Sequence, residues 1–428
     1  MQKKTCGIRG DCCGHQAVTR RFRAAALWAA LVVLLTSAET QARPSMSLKE
    51  AVDAAWARQP VARSLQERQR AGAATAQVAR AWTPEPVALE ASLKTDAPGN
   101  SGGGREIVAG VSVPIWLPGE RDRSRAFAAA QLVALDGRVA AAKWRIVGAV
   151  RDAWWAAQLA DTDLAAAESR LGPIRQLAGD VARRVRAGDL ARADQHQADA
   201  AVLSAQADLA AAAAAQQQAL HALQALIGVA ATMATPSVAP TEASDPDESL
   251  LSAHPLLREL ADKAELARRA LDLVVVQKRA HPELALQATR ERGAVGEAYR
   301  QSLTLGLRFP LGSDDRQQAK AADAKAELVE AEALLANERD RVAAQARAAG
   351  AQRSGALGVL YATERRVALA REARGFYDKA FRLGQVELAT RLRIEIEAGD
   401  AERQLNRARV EVAHALSSMQ QAFGVMLR

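Results

Sequence analysis

The stretch RVRAGDLARADQHQADA, residues 184–200, is answered by AFRLGQVELATRLRIEI, residues 380–396. Gly188 and Gly384 stand 196 residues apart, and so do Gly228 and Gly424. Upstream, VSVPIWLPGERDRSRAFAAA (111–130) has a partner in LRFPLGSDDRQQAKAADA (307–324). Gln59-Pro60 pairs with His254-Pro255, and Pro84 with Pro282. A period this long exceeds the common solenoid units, which run about 20–50 residues. The chain therefore reads as two equivalent halves, 46–230 and 251–428. The segment 231–250 between them is rich in Pro, Ser and acids and reads as a linker.

Each half opens with a helix and then breaks the helical pattern. Over 87–114, Val87, Leu89, Ala91 and Leu93 alternate with Glu90, Ser92 and Lys94, and Ile107, Ala109, Val111 and Val113 share one face. Over 283–310, Leu284, Leu286 and Ala288 alternate with Ala285, Gln287 and Thr289. Leu303, Leu305, Leu307 and Phe309 alternate with Ser302, Thr304, Gly306 and Arg308. Period-two alternation over about 8–10 residues is what a membrane β-strand needs, with one face to lipid and one to a wet lumen. Leu89, Val111, Leu286 and Leu305 are the predicted lipid face. Trp82, Trp116 and Phe309 stand where an interfacial aromatic girdle would lie. An ordinary pair of soluble hairpins fits the same pattern.

The rest is helical. From Glu120 to Ala187 the one strong breaker is Gly172-Pro173, and Pro173 is expected to kink a helix of about 100 Å. The chain turns back after Gly188 and Gly384. The second returning helix repeats Ala401, Ala408, Ala415, Ala422 and Leu405, Val412, Met419, Met426 at seven residues. The first repeats Ala205, Ala212, Ala219 with Leu209, Leu223 and Leu226. Alternating small and large seam residues let neighbouring helices approach closely.

The net charge of +8 is misleading, since six Lys and Arg against Asp11 and Glu39 place half of it within residues 1–42. The remaining Arg and Glu interleave along helices, the pattern of a solvated surface and not of a nucleic-acid patch. Arg20, Arg21 and Arg23 precede an apolar run, Ala24 to Leu35, and Thr40-Gln41-Ala42 offers a cleavage site. Residues 1–42 thus read as a signal peptide with a long leader. Cys6, Cys12 and Cys13 all precede the apolar run, so the mature chain has no cysteine.

Four strands cannot close a barrel, and an open edge is not tolerated in lipid. The smallest membrane barrels use about eight strands, so several protomers would share one. Both hairpins start and end on the side of the helices, so the helical body projects from one membrane face.

The ordered, duplicated set of SLKEAVDAAWARQP, a Pro-led hairpin, VSVPIWLPGERD, a long helix, a Gly turn and a returning helix resembles the TolC-like outer membrane efflux proteins over residues 46–428. VSVPI…PGERDRSR and RFPLGSDDRQQAKAADA are most similar to the CzcC branch, which serves heavy-metal cation efflux. The resemblance implies a mainly α fold with membrane β. Long antiparallel helices form an α-barrel, and four strands per protomer join a twelve-stranded barrel shared by a homotrimer. It implies a place in the outer membrane with a periplasmic extension, a periplasmic adaptor and an inner-membrane pump of the resistance-nodulation-division type. Drug efflux and type I protein secretion are the alternatives within the family, and a periplasmic coiled-coil adaptor the alternative outside it.

By the same resemblance, Gly188, Asp189, Gly384 and Gln385 are the adaptor-docking tips. Asp189 and Gln385 depart from the family's small hydroxyl residue. Aspartates that ring the aperture in better-known members fall here on Thr390 and Arg393, while Asp194 matches in the first half. The aperture set is therefore Asp194, Glu387, Thr390, Arg391 and Arg393. No catalytic constellation, phosphate loop or nucleophile elbow is present, and no enzyme activity, metal site or cofactor is expected. His196, His221, His254, His281 and His414 form no close pair and read as solvated helix-surface residues.

Overall fold

The structure is a computed structural model that describes residues 45–96, 99, 102–229, 232–233, 249–311 and 314–426. All of these but Ser45 belong to one unit, Met46–Arg428. The leader 1–42 and most of the 231–250 linker lie outside the described residues.

The first half begins with α1 (Leu48–Arg58). Ser47 and Glu50 close a capping box there: the Glu50 N–H donates to Ser47 Oγ at 3.3 Å, and the Ser47 N–H donates to Glu50 Oε2 at 2.8 Å. The Ser47 N–H and the Ser47 hydroxyl, both donating to the Glu50 carboxylate, hold it below its usual range. Next come α2 (Pro60–Val78), with Pro at its first position, then β1 (Ala88–Thr95) and β2 (Arg105–Pro114). α3 (Glu120–Ala187) and α4 (Arg192–Ile227) form the first long hairpin. The second half repeats the order with α5 (Pro255–Val276), β3 (Glu283–Arg292), β4 (Arg300–Arg308), α6 (Asp314–Arg382) and α7 (Leu388–Ala422).

The 68 residues of α3 reach about 100 Å. The helix runs on through Pro173, which interrupts one backbone hydrogen bond without ending the element. α3 packs along α4, α5 and α7, and α6 along α5 and α7. The alanine seam is the reason for this closeness: Ala205, Ala401, Ala408 and Ala415 are each at most 4 % exposed. One core joins Ala51, Val52 and Ala55 of α1 to Val147, Trp154 and Trp155 of α3, Leu223 and Ile227 of α4, and Val410 of α7. A second joins Leu177 and Val181 of α3 to Phe381 of α6 and Leu388 and Leu392 of α7. The two helical hairpins are thus welded near their far ends as well as near the middle of α3.

The two β-hairpins make one antiparallel sheet in the order β1-β2-β3-β4. β2 and β3 pair over ten residues, so the halves meet through main-chain hydrogen bonds at the centre of the sheet.

Candidate channel wall and periplasmic tip

The register settles which side chains share a face. Leu89 stands opposite Val111, Val111 opposite Leu286, and Leu286 opposite Leu305. The four residues expected to face lipid therefore form a single row across all four strands. Val113, Leu284 and Leu307 form a row on the helix side of it, and Ala91, Ala109, Ala288 and Leu303 the row beyond. This face is apolar and uncovered: Leu89 is 85 % exposed, Leu303 73 % and Leu305 71 %. The opposite face carries Glu90, Gly110, Gln287 and Thr304 in one row and Ser92, Val108, Thr289 and Ser302 in the next. Gln287 Nε2 donates to Glu90 Oε2 there at 2.9 Å. The outer edges of β1 and β4 have no partner strand among the described residues.

The sheet meets the helices at a buried carboxylate. Glu120, the first residue of α3, is 1 % exposed. It accepts from the Leu117 N–H at 3.1 Å and from Gln277 Nε2 at 2.8 Å. Its oxygens lie 3.0 Å from His281 Nε2, and His281 Nδ1 lies 3.2 Å from Glu85. Trp116 packs edge-on to His281 at 6.2 Å, and its indole N–H donates to the Ala81 carbonyl. Trp82, Trp116 and Phe309 all stand at the helix end of the sheet. Trp82 is 93 % exposed, Trp116 belongs to the junction packing, and Phe309 is exposed with the Arg279 guanidinium 4.6 Å from its ring centre. His281 is therefore not the solvated residue its isolation in the sequence suggests.

His254 departs from that expectation further, being 1 % exposed. It caps α5 by accepting the Leu256 N–H on Nδ1 and lies 4.7 Å from the Trp144 ring. Burial pushes its pKa down to about 4. The unfolded chain then binds a proton between about pH 6.5 and 4 that the folded chain refuses, so stability falls as pH falls through that window. We expect wild type to lose about 1.4 kcal/mol per pH unit there relative to His254→Asn, in which Asn keeps a cap but does not titrate. Urea unfolding of both proteins between pH 7 and 5 is the check, and parallel curves would refute it. Beside it, Arg151 donates to the Ser417 carbonyl at 2.9 Å, near the end of α7, and burial lowers its pKa to about 10.

At the far end, both tips have the same geometry. Gly188 has φ 86° and Gly384 φ 74°. The Asp189 N–H donates to the Arg184 carbonyl at 2.9 Å, and the Gln385 N–H to the Ala380 carbonyl at 3.0 Å. These six-to-one bonds close the last turn and require a left-handed residue, which glycine adopts without a Cβ clash. A Cβ at either glycine would touch nothing within 4 Å. The cost of Gly188→Val or Gly384→Val is therefore backbone strain alone, at least about 1–2 kcal/mol. Chemical unfolding measures it; an unchanged midpoint would refute the left-handed turn.

The residues expected at the aperture do not form one cluster. Asp194 accepts the Ala191 N–H at 3.1 Å and so serves the start of α4. Glu387, at the N-cap of α7, and Arg393 are exposed, and Thr390 is half-buried. Arg391, expected beside them, turns into its own protomer. It is 7 % exposed and donates to Glu395 at 2.6 Å and to Asp378 of α6 at 3.3 Å.

Residues 51–229 match the family described as Outer membrane efflux protein. They span the first half, and the second half repeats its elements. No curated protein matches it in sequence. Among solved structures, CusC aligns with a TM-score of 0.73 at 16% identity, over 89% of this chain and 93% of that one. The CmeC outer membrane channel of Campylobacter jejuni gives 0.71 at 14%, over 91% and 90%. VceC of Vibrio cholerae gives 0.70 at 16%, over 88% and 96%. At such identities the likeness is one of fold, and it extends through both halves.

Sequence reasoning missed the Glu120–His281–Glu85 junction. The signal was present, since Glu120 follows Gly119 at the start of the longest apolar-seamed helix of the first half, where a carboxylate suits the helix N-terminus. Among the described residues no group of three or more His, Cys, Asp or Glu is placed to hold a metal ion, and no helix is long and apolar enough to cross a membrane.

Proposed function

We propose that three copies of this chain close one twelve-stranded barrel in the outer membrane. They would act as the passive exit duct of a tripartite efflux system for heavy-metal cations. The row Leu89, Val111, Leu286, Leu305, exposed beside two unpaired strand edges, carries this reading. An apolar face of that kind is stable only against lipid, and its edges only against further strands. The long helices would extend the duct through the periplasm. The glycine tips would meet the adaptor, which an inner-membrane resistance-nodulation-division pump would supply with substrate. Heavy-metal cargo is favoured by the VSVPI…PGERDRSR and RFPLGSDDRQQAKAADA segments. Glu387, Thr390 and Arg393 would line the aperture, with Asp194 at the start of α4 behind them.

Two measurements test this. Crosslinking in the outer-membrane fraction should trap trimers, and a stable monomer there would overturn the shared barrel. Deleting the gene should raise sensitivity to zinc and cadmium salts and leave drug tolerance unchanged. The reverse outcome would assign the duct to drug efflux. Loss of a secreted protein would assign it to type I secretion.

A further inference from the structure

The apolar face of the sheet does not fade into neutral residues at its end remote from the helices. One row there pairs Leu93, Ile107, Arg290 and Gln301, and the next pairs Thr95, Arg105 and Arg292. Three arginines thus continue the face that carries Leu89, Val111, Leu286 and Leu305. Arg105 and Arg292 stand directly opposite one another, where like charges destabilise a sheet. No described carboxylate forms an ion pair with any of the three. The opposite face is different at this level. Lys94, Glu106, Glu291 and Arg300 share one balanced row, with Lys94 Nζ 3.5 Å from Glu106. Asp96, on the adjoining loop, has one carboxylate oxygen occupied by the Gly104 N–H at 3.0 Å.

The arginines are also held in place. The guanidinium carbons of Arg290 and Arg292 lie 4.4 and 5.1 Å from the centre of the Tyr299 ring, and Arg292 Nε donates to the Gly103 carbonyl at 3.1 Å. Stacking fixes the guanidinium planes and leaves most of their N–H groups free. Planar, oriented and uncompensated guanidinium groups match phosphate oxygens bidentately.

The geometry points to a binding site for the phosphate groups of outer-leaflet lipid, formed on the lipid face by Arg105, Arg290 and Arg292 with Tyr299 as their stacking support. It rests on the membrane reading above. A lipid can engage both features at once, its acyl chains on the leucine rows and its phosphates on the arginines beyond them.

The test titrates the detergent-extracted trimer with lipopolysaccharide, with dephosphorylated lipopolysaccharide and with inorganic phosphate, read by thermal unfolding and native mass spectrometry. Lipopolysaccharide should raise the melting temperature of wild type, and the other two should not. The Arg105→Gln/Arg290→Gln/Arg292→Gln variant should bind it at least about tenfold more weakly, the loss of one charged hydrogen bond or more. Arg300→Gln, on the opposite face, should respond as wild type does. If the triple variant does not assemble, Arg290→Gln alone, at an exposed position, provides the same comparison. Equal binding by wild type and the arginine variants, or an equal response to inorganic phosphate, overturns the site while leaving the channel reading standing. Failure of the membrane reading would appear separately, as wild type that forms no trimer in the membrane fraction.

Discussion

Leu305→Asp is expected to abolish assembly of the proposed outer-membrane barrel, while Thr304→Asp, one residue away, leaves it intact. Leu305 is the fourth member of the apolar row begun by Leu89, and Thr304 lies in the row of Glu90 and Gln287 on the other face. A charged side chain facing lipid near mid-bilayer costs on the order of 2–4 kcal/mol. The proposed trimer would carry the substitution three times, so the total approaches or exceeds the margin of about 5–15 kcal/mol that holds a typical protein folded. An aspartate on the wet face keeps its hydration and forfeits only local contacts. Leu89→Asp against Ser92→Asp repeats the comparison on the opposite edge strand. The readout is the fraction of protein recovered as trimer from outer membranes. Equal losses from both faces would show that the register does not separate lipid from lumen.

That prediction is possible because period-two alternation is legible in a sequence. A side chain on a strand has only two directions to take, so Leu89, Val111, Leu286 and Leu305 could be assigned to one face without knowing that they align in one row. The tips were legible for a similar reason. A reversal between two long helices needs a positive φ, and Gly188 and Gly384 were the residues able to supply it. Burial on the helices was less legible. A helix in this body packs against up to five others, so several of its faces are candidate seams, and heptad spacing alone does not choose among them. His254 illustrates the gap. It occupies the position of Gln59 in the first half, yet it is buried because Trp144 packs on its ring and Gly424 brings the chain end against it. The three rim arginines were hidden differently. Arg290 and Arg292 look like ordinary polar strand-end residues until the register places Arg105 beside them on the apolar face.

Arg391 and Arg393 sit two residues apart, and their fates should diverge. Arg391 is enclosed between α6 and α7 with Glu395, itself 5 % exposed. Removing Arg391 would leave Glu395 with Arg374, whose Nη1 lies 3.6 Å away, and would leave Asp378 with Arg382 at 2.7 Å. Breaking a buried pair from one side costs about 3–5 kcal/mol, because the remaining charge stays desolvated. Because Arg374 and Arg382 still face the two carboxylates, Arg391→Ala should lower the unfolding free energy by less than that, about 1–3 kcal/mol. Arg391→Ala combined with Glu395→Ala should recover part of it, since no buried charge is then stranded. Arg393 is exposed, and Arg393→Ala should change stability by less than about 0.5 kcal/mol. On the proposed channel reading its effect appears in the assembly: together with Glu387→Ala it should raise basal conductance in planar bilayers, because both side chains are exposed and would meet a neighbouring protomer at the proposed constriction. If Arg391→Ala opens the channel at unchanged stability, Arg391 belongs to the constriction and the intraprotomer network is not what holds the tip. If Arg393→Ala with Glu387→Ala leaves conductance unchanged, the closed end is held by other residues.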